Sequence, residues 1–169
     1  MSNNVSDELW NRVNYYDTNI IVSLTDYLRP RHLSIFHEPP IPYIGTPLTE
    51  HYHTVQSAEC LGWIDSVRVI DAPGRPGYHL QGWGWDRRSQ TSPHRLVLAD
   101  GAQRIIGDTI SGMPRADVVS SLHDDRAGHA GWVGYVSGLN GRQKIDAYTI
   151  LPGYRGVCLV GTIMAPTRR

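Results

Sequence analysis

Apolar and polar positions alternate over much of the chain, most clearly in the segment 80–86, which reads Leu-Gln-Gly-Trp-Gly-Trp-Asp. With a period of two, Leu80 and the two glycines face one side of a strand, and Gln81, Trp83 and Trp85 face the other. Glycine beside tryptophan leaves room for a large ring or for a closely packed neighbouring strand. We therefore expect the central strand of an antiparallel sheet, with its indoles either in the core or forming a ligand platform.

Segments of the same kind follow one another from His51 onwards, separated by turns rich in glycine and proline. We predict strands over 61–70, 78–85, 95–99, 103–107, 132–136, 144–150 and 157–163. The turns predict hairpins at 72–77, at Asp100 and at Asn140, and the proline of 114–119 suits the start of one short helical turn. Seven short strands joined by turns are typical of an antiparallel β-sandwich of jelly-roll type, so the expected fold class is mainly β.

The N-terminal part of the chain has the period of an α-helix. Ser6 is a suitable N-cap, and Pro30 ends the pattern. The apolar positions between them recur at spacings of three and four residues and comprise Leu9, Val13, Tyr16, Ile20, Leu24 and Leu28. A single amphipathic helix cannot bury this stripe alone. We expect the helix to pack on its own sheet domain, on a second copy in a homo-oligomer, or on another protein.

Prolines mark the segment that follows the helix. Residues 29–50 contain five of them together with few long apolar runs, which predicts an extended arm. Apolar residues in this arm, such as Ile41 and Tyr43, indicate that it lies against another surface. We place the domain boundary near His51, with the helix and the proline-rich arm in 1–50 and the sandwich in 51–169.

Composition excludes several classes of protein. Lys and Arg total 16 in the 169 residues, Asp and Glu also total 16, and the net charge is zero. This balance gives no electrostatic footprint for nucleic acid. The longest apolar runs, such as 157–163, are too short to cross a bilayer, so we expect a soluble domain with its own core.

Cys60 and Cys158 are the only cysteines, and they fall at the first and last predicted strands of the sandwich. Such strands are often neighbours, so a disulfide between them is geometrically feasible. It would close a loop of nearly the whole domain and imply an oxidising compartment. The alternative is a pair of buried free thiols in a cytosolic protein.

The chain offers few groups for metal binding or acid–base chemistry. His51 and His53 could chelate zinc only if a third ligand, such as His37, converged on them. Asp124 and Asp125 could hold calcium or transfer protons, but the ligand spacing of a calcium loop is missing, which favours a solvated loop. We therefore expect no metal and no cofactor.

Nucleophilic catalysis has no clear candidate either. The serines lie outside any Gly-x-Ser-x-Gly elbow, and Cys60 lacks the surroundings of a catalytic thiol. A phosphate-binding glycine loop is also missing from the sequence. The residues thus favour a protein that is not an enzyme, and a small hydrolase is the least favoured class.

Several short motifs follow one another in the predicted sheet domain: Gly-Trp-Gly-Trp-Asp at 82–86, Asp-Gly at 100–101, Pro-Arg-Ala-Asp-Val at 114–118 and Gly-Trp at 131–132. Over about residues 59–163 they resemble the soluble β-sandwich accessory domain of bacterial cell-envelope membrane proteins and glycosyltransferases. In the first motif, Gly84 stands at a position that a different small residue usually occupies. The resemblance implies a periplasmic or extracellular location and brings no catalytic residue. The resemblance also raises the hypothesis that the N-terminal helix directly follows a membrane span.

Aromatic side chains are the best candidates for a ligand site, because exposed rings stack on pyranose faces while polar side chains bond the hydroxyls. For a glycan we predict contacts from Trp83, Trp85, Trp132, Tyr135, Arg115 and Asp117. Arg115 and Asp117 have a structural alternative, in which they pair with each other and tie their loop to the sandwich.

The function we expect is that of a non-catalytic accessory domain of a cell-envelope polysaccharide system, which binds a glycan or positions a partner protein. The alternative is a scaffold module that docks on another protein through its N-terminal helix and contacts no sugar. With reduced cysteines, the protein would instead be cytoplasmic.

Overall fold

The computed structural model describes residues 41–55, 59–72, 75–137, 139, 142–153 and 155–167. They belong to one compact unit, Ile41–Arg169. The predicted helix and most of the proline-rich arm lie outside the described residues.

Strands dominate the described part of the chain. In chain order they are β1 (His53–Thr54), β2 (Cys60–Ala72), β3 (Arg75–Asp86), β4 (Leu96–Asp100), β5 (Ile105–Met113), β6 (Gly131–Ser137), β7 (Lys144–Ile150) and β8 (Gly156–Met164). One helix, α1 (Ala116–Leu122), follows β5, and two 3₁₀ turns cover Leu48–Glu50 and Asp125–His129. The expectation of a mainly β fold is confirmed.

The strands form one sheet in the order β1-β8-β7-β4-β5-β6-β3-β2. Neighbours are antiparallel except for β1 and β8, which run parallel. Strand β5 pairs with β4 over its first half and with β6 over its second half. The two halves are therefore continuous, and the two-sheet arrangement of a jelly-roll sandwich is not confirmed.

The sheet curls until β2 and β8 meet. A Cβ atom added to Gly161 of β8 would lie 3.0 Å from the backbone nitrogen of Ile64 in β2, so these backbones are packed closely. At the same seam Cys60 and Cys158 form a disulfide, with their Cα atoms 6.2 Å apart. The cysteine pair thus fastens the first long strand to the last one.

The hairpins follow the turn signals only in part. Asp100 closes the predicted β4–β5 hairpin, where its Oδ1 accepts hydrogen bonds from the backbone N–H groups of Ala102 and Arg104. The β2–β3 hairpin is longer than expected, since Ala72 already pairs with Arg75.

The hairpin predicted at Asn140 is wrong. Strand β6 lies between β5 and β3, whereas β7 lies between β4 and β8. The connection from β6 to β7 therefore crosses from one half of the sheet to the other. An Asn-Gly pair supplies a tight turn but does not select the strand that the chain joins next.

The inward-facing side chains fill the curl. Tyr78, Leu80, Leu96, Leu98 and Trp132 belong to this core. The Trp132 ring lies directly against Gly82, where a Cβ atom would be 2.4 Å from Cζ2 of the indole. The glycines of β3 therefore make room for a core tryptophan that comes from β6.

A segment that we call the strap, residues 41–52, covers the outer surface of the half of the sheet that contains β4, β7 and β8. Backbone N–H groups of Gly45 and Leu48 donate to the carbonyls of Ile105 and Gln103 at 2.7 and 2.8 Å. Leu48 is fully buried on the outer side chains of β4 and its neighbours, and the cluster contains Ile41, Leu48, Val97, Ala99, Ile105, Tyr148 and Val157. Strand β4 is consequently buried on both faces.

A second covering segment, which we call the cap, consists of residues 114–130 and includes α1. The predicted helical turn at 114–119 is confirmed as the start of this helix. Val118, Ala127 and Ala130 pack on Trp85 of β3, and the backbone N–H of Gly84 donates to the Ala130 carbonyl at 3.0 Å. The cap therefore closes one end of the outer surface of β3.

Candidate aromatic binding face

Between the strap and the cap, the outer surface of β2, β3 and β6 is covered by no segment among the residues that the structure describes. Its position follows from the strand alternation, because Leu80 and Gly82 point into the core and their neighbours therefore point outward. We call this surface the open face. Its outward side chains are Trp63, Ser66 and Arg68 from β2, His79, Gln81 and Trp83 from β3, and Val133 and Tyr135 from β6.

One end of the open face carries a pair of tryptophans. Trp63 and Trp83 are direct cross-strand partners. Trp63 is 61% exposed, the largest fraction among the large hydrophobic side chains of the described chain. Such an exposed indole offers an apolar face and a polar edge to a ligand.

The other end carries Tyr135, whose ring lies across the backbone of β3. A Cβ atom on Gly77 would be 2.5 Å from Cζ of this ring, so the tyrosine rests on the glycine. Tyr135 nevertheless stays 40% exposed. Since Trp83 lies six positions beyond Gly77 in β3, the two aromatic ends are about 20 Å apart along an extended strand.

Polar side chains fill the distance between the aromatic ends. Gln81 comes next to Trp83 on the outward side, followed by His79, whose cross-strand partners are Arg68 and Tyr135. Burial, followed by the nearby Arg68 guanidinium, lowers the pKa of His79 from its usual value, so this imidazole is neutral at pH 7. The open face thus presents an amide, a neutral imidazole and a guanidinium between its rings.

The guanidinium of Arg115 connects the cap to strand β2. Its Nε and Nη2 donate to the Asp117 carboxylate at 2.8 and 2.7 Å, and its Nη1 donates to Asp65 of β2 at 2.6 Å. The hydrogen bond from Arg115 lowers the pKa of Asp117 to about 2, and the same pairing raises the pKa of Arg115. This arrangement matches the structural alternative, in which the pair ties the cap to the sheet.

The structure separates the six residues predicted to contact a glycan. Trp83 and Tyr135 lie on the open face, and Arg115 and Asp117 border its tryptophan end. Trp85 is only 5% exposed because the cap covers it, and Trp132 is 1% exposed inside the curl. The Trp132 Nε1–H has no acceptor among the described residues. These two indoles are therefore not available to a ligand on the outer surface.

Sequence reasoning missed the most exposed aromatic residue of the face. Uninterrupted alternation in β2 places Trp63 on the same side as Val67, which packs on the core. However, the register shifts between Ile64 and Ser66, so that Asp65 forms a bulge. The bulge reverses the side on which Trp63 emerges, and the sequence carries no strong signal for it.

The other candidate groups take structural positions. The Nε2 atom of His51 lies 2.9 Å from the Thr46 hydroxyl, and its ring stacks on Tyr43. Asp124 accepts hydrogen bonds from the backbone and the guanidinium of Arg126. Within the described ranges no three His, Cys, Asp or Glu side chains converge as metal ligands.

The chain matches no protein-family model, no curated protein and no solved structure. The resemblance to an envelope accessory domain therefore rests on its sequence motifs alone. Among the described residues, no helix combines the length and apolar character that a membrane span requires.

Proposed function

We propose that the protein is a non-catalytic accessory module of a cell-envelope polysaccharide system, and that its open face binds a glycan chain. The observation that carries the proposal is the pair of aromatic ends, joined by hydrogen-bonding side chains. One end is the exposed Trp63 beside the half-buried Trp83, and the other is the exposed Tyr135. Pyranose rings present apolar faces and polar rims, and this pattern of rings and polar groups complements both.

The composition of the open face supports a glycan over a protein partner. Where this chain buries a sheet surface against its own backbone, under the strap, the sheet contributes mainly aliphatic side chains such as Val97, Ala99 and Val157. The open face instead alternates aromatic with polar groups. Its length of about 20 Å favours several sugar units lying side-on over a single monosaccharide.

The disulfide supports an extracytoplasmic location. Disulfides such as the one between Cys60 and Cys158 persist in oxidising compartments, which include the bacterial periplasm and the cell exterior.

The curled sheet is also compatible with a relation to β-sandwich accessory domains. In this reading the halves β2-β3-β6 and β4-β7-β8 of the curled sheet correspond to the two layers of a sandwich.

The test is a titration of intrinsic tryptophan fluorescence in the full chain against oligosaccharides from bacterial envelope polysaccharides. We expect a saturable change that Trp63→Ala and Tyr135→Ala each weaken by roughly tenfold, since stacking contributes on the order of 1 kcal/mol. Leu159→Ala is the matched control, because Leu159 is an exposed apolar residue of β8 outside the open face.

Circular dichroism must show that each variant is folded. Saturable binding that survives both aromatic substitutions would place the glycan elsewhere. A folded protein that responds to no member of the panel would contradict the proposed function and favour the scaffold alternative.

A further inference from the structure

We propose that the glycan is acidic, and that a single carboxylate in each bound segment pairs with Arg68. This inference rests on the proposed function of the open face and adds the chemical class of its ligand. It further assigns the ligand a direction, with its acidic sugar at the Tyr135 end and neutral sugars at the tryptophan end.

Arg68 is the unpaired cation of the open face. It is exposed on β2, and within the described part of the chain its guanidinium has no hydrogen-bond or ion-pair partner. Arg115, the other arginine at this face, already pairs with two carboxylates, so its charge is neutralised and it does not attract a further anion. Arg68 is thus the cation that the open face offers to a ligand.

Charge is distributed unevenly along the face. At the tryptophan end, Asp65 and Asp117 surround the Arg115 guanidinium, so this cluster carries one net negative charge. At the tyrosine end, Arg68 is flanked by the neutral imidazole of His79. A bound anion is therefore attracted to one end and repelled from the other, so the charges select its orientation.

The charges of the open face also limit the charge density of the glycan. A polymer with an acidic group on every sugar would place a carboxylate beside Asp65 whenever another one reached Arg68. The described side chains of the open face provide one unpaired guanidinium within about 20 Å, which instead complements a glycan in which an occasional hexuronate is separated by neutral sugars. A guanidinium recognises a carboxylate through two parallel hydrogen bonds, which adds geometric selectivity to the charge.

The experiment compares matched ligands on the full chain by calorimetry. The probes are envelope oligosaccharides in which one hexuronate alternates with neutral sugars, each used in native form and after reduction of its carboxyl groups to primary alcohols. We expect the native form to bind roughly tenfold more tightly than the reduced form, as for a charge-assisted hydrogen bond at a partly exposed site.

Four variants locate the preference. Arg68→Gln should lower the ratio of native to reduced affinity to about one while leaving affinity for the reduced probe within about twofold, and Arg68→Lys should keep most of the ratio. Arg88→Gln is the matched control, because Arg88 is exposed in the loop beyond the far end of β3. Trp63→Ala should weaken both probes equally.

The outcomes separate the two proposals. Equal binding of native and reduced probes, or an undiminished preference in Arg68→Gln, overturns the acidic ligand, while loss of both affinities in Trp63→Ala still supports a glycan on the open face. If neither probe binds to the folded protein, both proposals fail.

Discussion

The outer surface of the curled sheet is covered in one half and largely open in the other. Over β4, β7 and β8 the outward positions are mostly aliphatic, and the strap returns across them so that Leu48 and Val97 are fully buried. Over β2, β3 and β6 the cap covers only the end that carries Trp85, and no described segment crosses the rest, where Trp63, Gln81 and Tyr135 point outward.

This difference separates stability from recognition. Aliphatic side chains under a hydrogen-bonded strap contribute free energy of burial and offer little to a ligand. The indole of Trp63 and the phenol of Tyr135, which remain exposed beside polar groups, contribute less to folding, yet they present the surface that a glycan requires. The two halves should therefore respond oppositely when stability and binding are measured on the same variants.

The largest expected effect concerns the seam that holds the two halves together. Replacing both Cys60 and Cys158 by alanine should lower the free energy of unfolding by about 4 to 5 kcal/mol, because the disulfide closes a loop of about 100 residues in the unfolded chain. Urea denaturation of the double variant measures this loss, and reduced wild-type protein should behave alike. Unchanged stability in both would contradict a stabilising role of the disulfide between β2 and β8.

The covered half should lose stability without losing binding. Leu48→Ala should lower the free energy of unfolding by about 3 kcal/mol, because it removes a fully buried side chain beneath the strap. Urea denaturation measures this change, and Leu159→Ala on the exposed surface should cost less than about 0.5 kcal/mol. Equal losses in the two variants would show that the strap does not bury its leucine.

The open half should show the reverse. Trp63→Ala should change the free energy of unfolding by less than about 0.5 kcal/mol, because most of the side chain is already exposed to water. The same variant should weaken glycan binding roughly tenfold. A destabilisation as large as that of Leu48→Ala would mean that Trp63 is packed, and the contrast between the two halves would no longer hold.

The smallest expected effect is the pH dependence contributed by His79. Its pKa is lower in the folded protein than the unfolded value of about 6.5. The unfolded chain therefore binds the proton more readily, so stability should fall as the pH drops below about 6.5. Urea denaturation at several pH values should show a weaker decline in His79→Gln, and an identical decline in both proteins would contradict the assignment.

Local signals in the sequence predicted the parts of the fold that depend on local chemistry. The alternation at 80–86, the Asp100 turn and the proline before α1 each specify a short stretch of backbone, and each predicted element is present. The pairing of Cys60 with Cys158 agreed with the expectation that the first and last long strands meet.

The rest depended on contacts between distant segments. The Asn-Gly pair at 140–141 in the sequence carries no information on which strand β7 joins, and the pairing of the sheet places β7 beside β4. The bulge at Asp65 reversed the face of Trp63, which strict alternation assigns to the core. Trp132 and Trp85 were predicted to contact a ligand, but Trp132 packs on Gly82 inside the curl and the cap encloses Trp85.

The most direct test of the open face is hydroxyl-radical footprinting of the full chain with and without a bound envelope oligosaccharide. Protection should concentrate on Trp63, Trp83 and Tyr135, while exposed apolar residues elsewhere, such as Leu159 and Met164, keep their reactivity. Unchanged reactivity at Trp63 and Tyr135 under saturating ligand would contradict the account.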